Sequence, residues 1–243
     1  MGRRFAVQLL AALLLDAGTG AVLHVLGVGE DLEPRPPAAA VAGAVVERDG
    51  EVPGHVAAGA EAGVLVVEAG GCGEVLQASA TAVVRGGRTI VLTNAHVVVG
   101  AGSVTLRLPD GGVVAATVQG TVAGRDAAVL HVEGSELDRI EALPVGGPVS
   151  VGHPVTVAGH PDGTASLRSG RVRGVERRAA YGGSSDVLLI DVPVRGGSSG
   201  GAVLDGDGRV VGLVAARDPR TGGAVAYPIA EVLGRGLGPI PSC

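Results

Sequence analysis

Three residues of this chain have the side chains that together turn a hydroxyl into a nucleophile: His96, Asp126 and Ser199. Ser199 lies in the run Gly196-Gly197-Ser198-Ser199-Gly200-Gly201. A serine that attacks a carbonyl carbon needs backbone N–H groups aimed at the oxygen that becomes negative. Flanking glycines let the chain turn sharply and approach the reacting carbonyl closely. With Ser199 as nucleophile, the N–H groups of Gly197 and Ser199 supply that oxyanion hole. His96 follows the apolar run Ile90-Val-Leu-Thr-Asn-Ala-His96, where a histidine alone reads as a packed side chain. Asp126 opens Asp126-Ala-Ala-Val-Leu-His-Val132, where an aspartate alone reads as a turn former. Together they offer a nucleophile, a general base and a carboxylate to orient the base. Asp110 competes for the last role, but Pro109-Asp110-Gly111-Gly112 is a turn signature with its own explanation. His24, His55, His131, His153 and His160 are assigned structural or solvent roles.

Elements that hold such residues in place must come from a chain that is 46% hydrophobic but only 1% aromatic. A core of Val, Leu, Ala and Ile suits strands, and 43 Gly with 14 Pro imply many turns. Six apolar runs are expected as strands first: Val64–Val67, Ala80–Val84, Thr89–Thr93, Val104–Leu108, Val113–Val118 and Ala127–Val132. A connection from Pro144 to Pro148 follows. Six more runs come next: Val155–Ala158, Ser166–Val175, Val187–Val192, Ala202–Leu204, Val210–Ala215 and Ala224–Tyr227. Ile229 to Arg235 reads as a short helix. Two such groups fit two small barrels, and the spacing fits a sandwich equally well. The net charge is −5 with arginines and acidic residues interspersed, so a nucleic-acid footprint is excluded. No CxxC or His/Cys cluster calls for a metal.

Arg3 and Arg4 precede an apolar run from Phe5 to Leu15, so residues 1–28 read as a signal peptide or signal anchor. Cleavage after Ala21 is one fate. The other is retention, since Phe5 to Val28 spans 24 residues, enough to cross a bilayer. Either places the rest of the chain outside the cytoplasm, secreted or membrane-anchored. Residues 29–61, with Glu33-Pro-Arg-Pro-Pro37, read as a Pro/Ala-rich spacer; the alternative is an ordered extension packed on the domain. Residues 62–243 are then the domain itself, with barrel one at about 62–145 and barrel two at about 150–230.

The motif set resembles the trypsin-like serine peptidases of the HtrA/Deg group. Leu92-Thr-Asn-Ala-His-Val-Val98 is similar to that family's histidine motif, and Asp126-Ala-Ala-Val-Leu130 to its aspartate strand. Asp191 followed by Gly197-Ser-Ser199-Gly-Gly201 is similar to its serine motif. Asp207-Gly-Arg-Val-Val-Gly-Leu213 and Gly223-Ala-Val-Ala-Tyr-Pro-Ile229 resemble its closing strands. Cys72-Gly73 adds a likeness to the membrane-anchored, PDZ-less MarP-like members. The resemblance covers about residues 62 to 237. It implies an all-β, chymotrypsin-like double β-barrel of two six-stranded barrels with a short C-terminal helix. The chain order His, Asp, Ser belongs to that fold, not to subtilisins or α/β-hydrolases.

By the same resemblance the activity is that of a serine endopeptidase acting on proteins or peptides through an acyl-enzyme, with no metal or organic cofactor. Envelope protein processing or quality control is the expected setting. The alternatives are a catalytically silent peptide-binding relative and an envelope scaffold. The substrate pocket falls to Pro193 and Val194 at the floor, with Leu213, Val214, Ala215 and Ala216 as a wall. The floor has no carboxylate, so small or medium apolar side chains are expected there. Family trimers are held by aromatic packing near the start of the domain, and none lies between Phe5 and Tyr181; a monomer is expected. Cys72 and Cys243 are expected to pair, because the fold's C-terminal segment crosses back over barrel one; two unrelated thiols are the alternative. Three departures stand out. Ala80 and Ala82 replace family glycines, with methyl groups expected to crowd the primed side of the cleft. Ser198 replaces Asn or Asp, and Gly196 replaces a common proline.

Overall fold

The computed structural model describes residues 47–71, 73–180 and 183–240. The signal or anchor segment, the front of the spacer, and both Cys72 and Cys243 lie outside the described residues, and with them the expected disulfide.

Two elements precede the barrels: strand β1 (Glu47–Asp49) and helix α1 (Gly54–Gly63). Barrel one follows with β2 (Val64–Gly71), β3 (Glu74–Arg85), β4 (Arg88–Thr93), the single turn α2 (Ala95–Val98), β5 (Ala101–Arg107), β6 (Val113–Val122) and β7 (Ala128–Val132). Helix α3 (Gly134–Leu137) and the short β8 (Leu143–Pro144) lead out of it. Barrel two holds β9 (Pro154–Gly159), β10 (Ser166–Ala180), β11 (Gly183–Pro193), β12 (Ala202–Leu204), β13 (Val210–Arg217) and β14 (Gly223–Pro228). Helix α4 (Ile229–Leu233) and β15 (Leu237–Gly238) close the described chain, and β15 returns to pair with β6 of barrel one.

Both sheets close. In barrel one the order β6-β5-β2-β3-β4-β7 is completed by β7 pairing back to β6. In barrel two the order β10-β11-β14-β13-β12-β9 is completed by β9 pairing back to β10. Closure removes the unpaired edges that an open sheet would present. Strand β6 serves β5 over Val113–Ala116 and β7 over Ala116–Thr121, with a register shift between Val118 and Gly120 in the part that pairs with β7. At the β3–β4 hairpin, Gly86 and Gly87 both have left-handed φ of 57° and 74°. Two consecutive residues in that region are what a tight hairpin turn needs and what only glycine adopts without strain.

The apolar runs are buried on both faces because each barrel has an inside and a shared outside. Along β2, Leu65 and Val67 point into barrel one, whereas Val64 points into the layer between the barrels. That middle layer also takes Val83, Leu92, Ala158, Leu204, Leu213 and Tyr227. Barrel two is filled by Val155, Val157, Val172, Leu188, Ile190, Val203 and Val214. With so few aromatics, β-branched and small residues fill these volumes.

One boundary differs from the sequence expectation. Residues 47–61, read as spacer, contain β1, which pairs in parallel with β10, and α1, which inserts Val56, Ala57 and Ala60 into the middle layer. The ordered-extension alternative holds for this stretch. Its Gly/Ala content gives a helix with one buried face the composition of a low-complexity linker.

Candidate active site

His96 is delivered by the turn that ends β4. Asn94, at the helix N-terminus, donates its side-chain N–H to the Asp126 carbonyl at 2.5 Å, stitching the histidine turn to the loop before β7. The Asp126 carboxylate then meets His96 twice. Oδ2 lies 2.6 Å from His96 Nδ1, and Oδ1 accepts the His96 backbone N–H at 2.9 Å. The carboxylate is 7% exposed and the imidazole 39% exposed. One end of the ring is therefore fixed in the protein and the other faces the cleft.

Asp126 is itself anchored by residues that the sequence reading missed. Its N–H points to the Tyr227 hydroxyl at 3.4 Å. The neighbouring Arg125 side chain is 1% exposed, ion-paired to Glu231 of α4 and 6.0 Å from the Tyr227 ring centroid. A guanidinium is tolerated inside a protein when paired and stacked in this way. Gly124-Arg125-Asp126 reads as an ordinary turn in sequence because Glu231 and Tyr227 lie about a hundred residues further on.

The serine loop leaves β11 and docks on barrel one. Ser79 N–H donates to the Ser199 carbonyl at 2.9 Å. Thr81 Oγ1 donates to the Gly200 carbonyl at 2.8 Å, and Thr93 Oγ1 to the Ser79 carbonyl at 2.8 Å. The glycines are dictated by this docking. A Cβ on Gly200 would stand 2.1 Å from the Ser79 carbonyl, and one on Gly197 would stand 2.8 Å from the His160 carbonyl. Both also have left-handed φ, 80° and 88°. Among the described residues, the N–H groups of Gly197 and Ser199 have no hydrogen-bond partner. The Ser199 hydroxyl also has none among the described residues.

The two substituted alanines face the other way from the sequence expectation. Ala80 and Ala82 are buried inside barrel one with Ala78, whereas Ser79 and Thr81 face the serine loop. Their methyl groups therefore do not crowd the cleft. Strand alternation has a period of two, so a one-residue error in phase exchanges the faces.

The residues named for the substrate pocket are only partly brought together. Pro193 and Val194 line a small cavity with Val157, Pro161, Arg168 and Ser198. Leu213 and Val214 are sealed in the middle layer and in barrel two, so their side chains cannot wall a pocket. Ala215 is nearly covered and Ala216 is exposed. Arg195 turns away to Glu47 at 2.8 Å.

His160 sits behind the serine loop, and its enclosed Nδ1 has no hydrogen-bond partner among the described residues. Burial pushes its imidazole down to about 4, with the Arg107 charge adding to the shift. The folded ring is thus neutral where an unfolded one, titrating near 6.5, takes up a proton. That contribution to stability is whole above pH 6.5 and lost as pH falls toward 4. Urea unfolding should show a stability loss of up to about 3 kcal/mol across that window. A His160→Gln variant should show a flatter profile; an unchanged slope would assign the loss to other groups.

With this geometry, comparison with known proteins is decisive. The model of the trypsin-like peptidase domain matches residues 80–213. The chain belongs to this family. It is 30% identical over 135 residues to the serine protease Do-like HtrA of Bacillus subtilis, covering 52% of this chain and 30% of that protein. It is 36% identical over 150 residues to the putative serine protease HhoA of Synechocystis sp., covering 58% of this chain and 37% of that protein. The chain thus spans about a third of the length of these curated relatives. Among solved structures, the chain superposes on the Rv3671c protease from M. tuberculosis, active form, with a TM-score of 0.70 at 27% identity. That match covers 88% of this chain and 99% of the other. The two closed barrels are the chymotrypsin-like architecture.

Proposed function

We propose that the chain is a serine endopeptidase in which Ser199 attacks the scissile carbonyl, His96 takes its proton and Asp126 orients and stabilises the imidazolium. The observation that carries this reading is the double contact of Asp126 with His96, at 2.6 and 2.9 Å, beside a serine loop whose Gly197 and Ser199 N–H groups are unengaged. These two donors hold the tetrahedral oxyanion, water then hydrolyses the acyl-enzyme, and no metal or organic cofactor takes part. Substrate enters as an extended strand. Beyond Leu213 the edge of β13 opposite β14 meets only Gly200 and Gly201 among the described residues, leaving Ala215 to Arg217 open beside Ser199.

Pro193 and Val194 form the floor of the substrate pocket, with Ala215 and Ala216 and the backbone of Leu213 and Val214 at its side. A lysine or arginine there has no carboxylate to meet, and an unpaired desolvated charge is costly. The domain works outside the cytoplasm in envelope protein processing or quality control, secreted or held by its N-terminal segment, as a monomer with Cys72 and Cys243 joined. Incubation of the purified chain with an unbiased peptide library tests activity and preference together. Cleavage after Val, Ala or Leu is expected. A profile dominated by Arg or Lys overturns the pocket, and no cleavage with no labelling by a fluorophosphonate overturns the peptidase reading.

A further inference from the structure

We infer that Ser79 is a positioning residue for the oxyanion hole, acting through its hydroxyl on the Gly197–Ser198 peptide; this rests on the peptidase reading. Ser79 lies on β3 in barrel one, fully buried, yet its side chain reaches into the loop that carries the nucleophile. Its Oγ accepts the His160 N–H at 2.8 Å and donates to the Gly197 carbonyl at 2.7 Å. With the first bond occupying a lone pair and the second using the only proton, the hydroxyl has one orientation.

The consequence lies in the peptide planes. The carbonyls of residues 197 to 200 are all bound. Gly197 O takes Ser79 Oγ, Ser198 O takes Gly201 N–H at 3.0 Å, Ser199 O takes Ser79 N–H at 2.9 Å, and Gly200 O takes Thr81 Oγ1 at 2.8 Å. On the opposite side Ser198 N–H is held by the Arg195 carbonyl at 3.2 Å. Planes fixed in this way leave the Ser199 N–H facing outward and pin the peptide on the C-terminal side of Gly197, the fixed end from which the Gly197 N–H is set through its own φ. Gly196 and Gly197 have no side chains to resist a peptide flip, and Gly196 is exposed. A side-chain hydroxyl from the other barrel supplies the restraint. Without it, the Gly197 carbonyl is left without its partner in a covered position, which favours rotation of that peptide toward another donor.

The test uses the full chain with Ser79→Ala and Ser79→Gly, both of which keep the backbone bonds of residue 79 and remove the hydroxyl. Turnover of a fluorogenic peptide gives kcat and KM, and inhibition by a peptide boronate reports binding of a tetrahedral adduct. Affinity for the uncleaved peptide is measured with each change placed in a Ser199→Ala background. Each variant should lose about ten- to a hundredfold in kcat, less than deletion of a hole donor itself. Boronate affinity should fall by a similar factor, while KM and peptide affinity stay within about threefold. Unchanged kcat and boronate affinity would overturn the inference. So would an equal fall in peptide affinity, which marks general damage to the cleft. A wild-type chain inert to fluorophosphonate removes the peptidase reading and this inference with it. A reactive wild type matched by an equally reactive Ser79→Ala removes this inference alone.

Discussion

Replacing Ser199 with alanine should lower kcat by about a millionfold and abolish fluorophosphonate labelling, because triad members act as one unit. The fold should survive. The Ser199 hydroxyl has no hydrogen-bond partner among the described residues, and the loop is held through backbone atoms: Ser79 N–H to the Ser199 carbonyl and Gly200 N–H to the Val214 carbonyl, both at 2.9 Å. Stability by urea unfolding should therefore stay within about 1 kcal/mol of wild type. Ser198 is the proper control. It is the adjacent serine, it is buried, and its hydroxyl makes no hydrogen bond among the described residues. Ser198→Ala should cost less than about tenfold, since it removes no group that touches the reacting atoms. Labelling that survives Ser199→Ala and is lost in Ser198→Ala would move the nucleophile by one residue.

The parts of this site that sequence reveals are those whose physical demands are local. Glycines flanking Ser199 are readable because a sharp turn with left-handed φ excludes other residues at that very position. The twelve expected strands correspond to β2–β7 and β9–β14 because each is a short apolar run between turns. What stays hidden depends on partners far along the chain. Arg125 gives no local hint that Glu231 and Tyr227 enclose it. The Ala78-Ser79-Ala80-Thr81-Ala82 stretch shows alternation but not its phase, since small residues suit either face. The expectation placed the methyl groups in the cleft, whereas they fill barrel one and the hydroxyls are buried against the serine loop. Helix α1 stays hidden for a related reason: its sequence, Gly-His-Val-Ala-Ala-Gly-Ala-Glu-Ala-Gly, differs little from linker in composition.

Asp126→Asn should lower kcat by about ten-thousandfold with little change in KM, through the tautomer of His96. The second contact of the carboxylate decides which way the amide turns. Oδ1 accepts the His96 backbone N–H at 2.9 Å, so an asparagine must place its carbonyl oxygen there and its amide nitrogen at the Oδ2 position. The reverse orientation would set an NH2 group against a backbone donor. In the allowed orientation the amide faces Nδ1, where the carboxylate oxygen stands at 2.6 Å. Nδ1 must then accept a hydrogen bond, so the ring proton moves to Nε2, the nitrogen that faces the cleft. A protonated Nε2 cannot take the proton from Ser199. Packing should be undisturbed, because the two side chains have nearly the same shape and the Asp126 N–H and carbonyl keep Tyr227 and Asn94. Nitrogen chemical shifts of His96 read the tautomer directly: Nδ1–H in the wild type and Nε2–H in the variant are expected. A variant that keeps the Nδ1–H form, or that keeps kcat, would show that Asp126 does not set the orientation of the base.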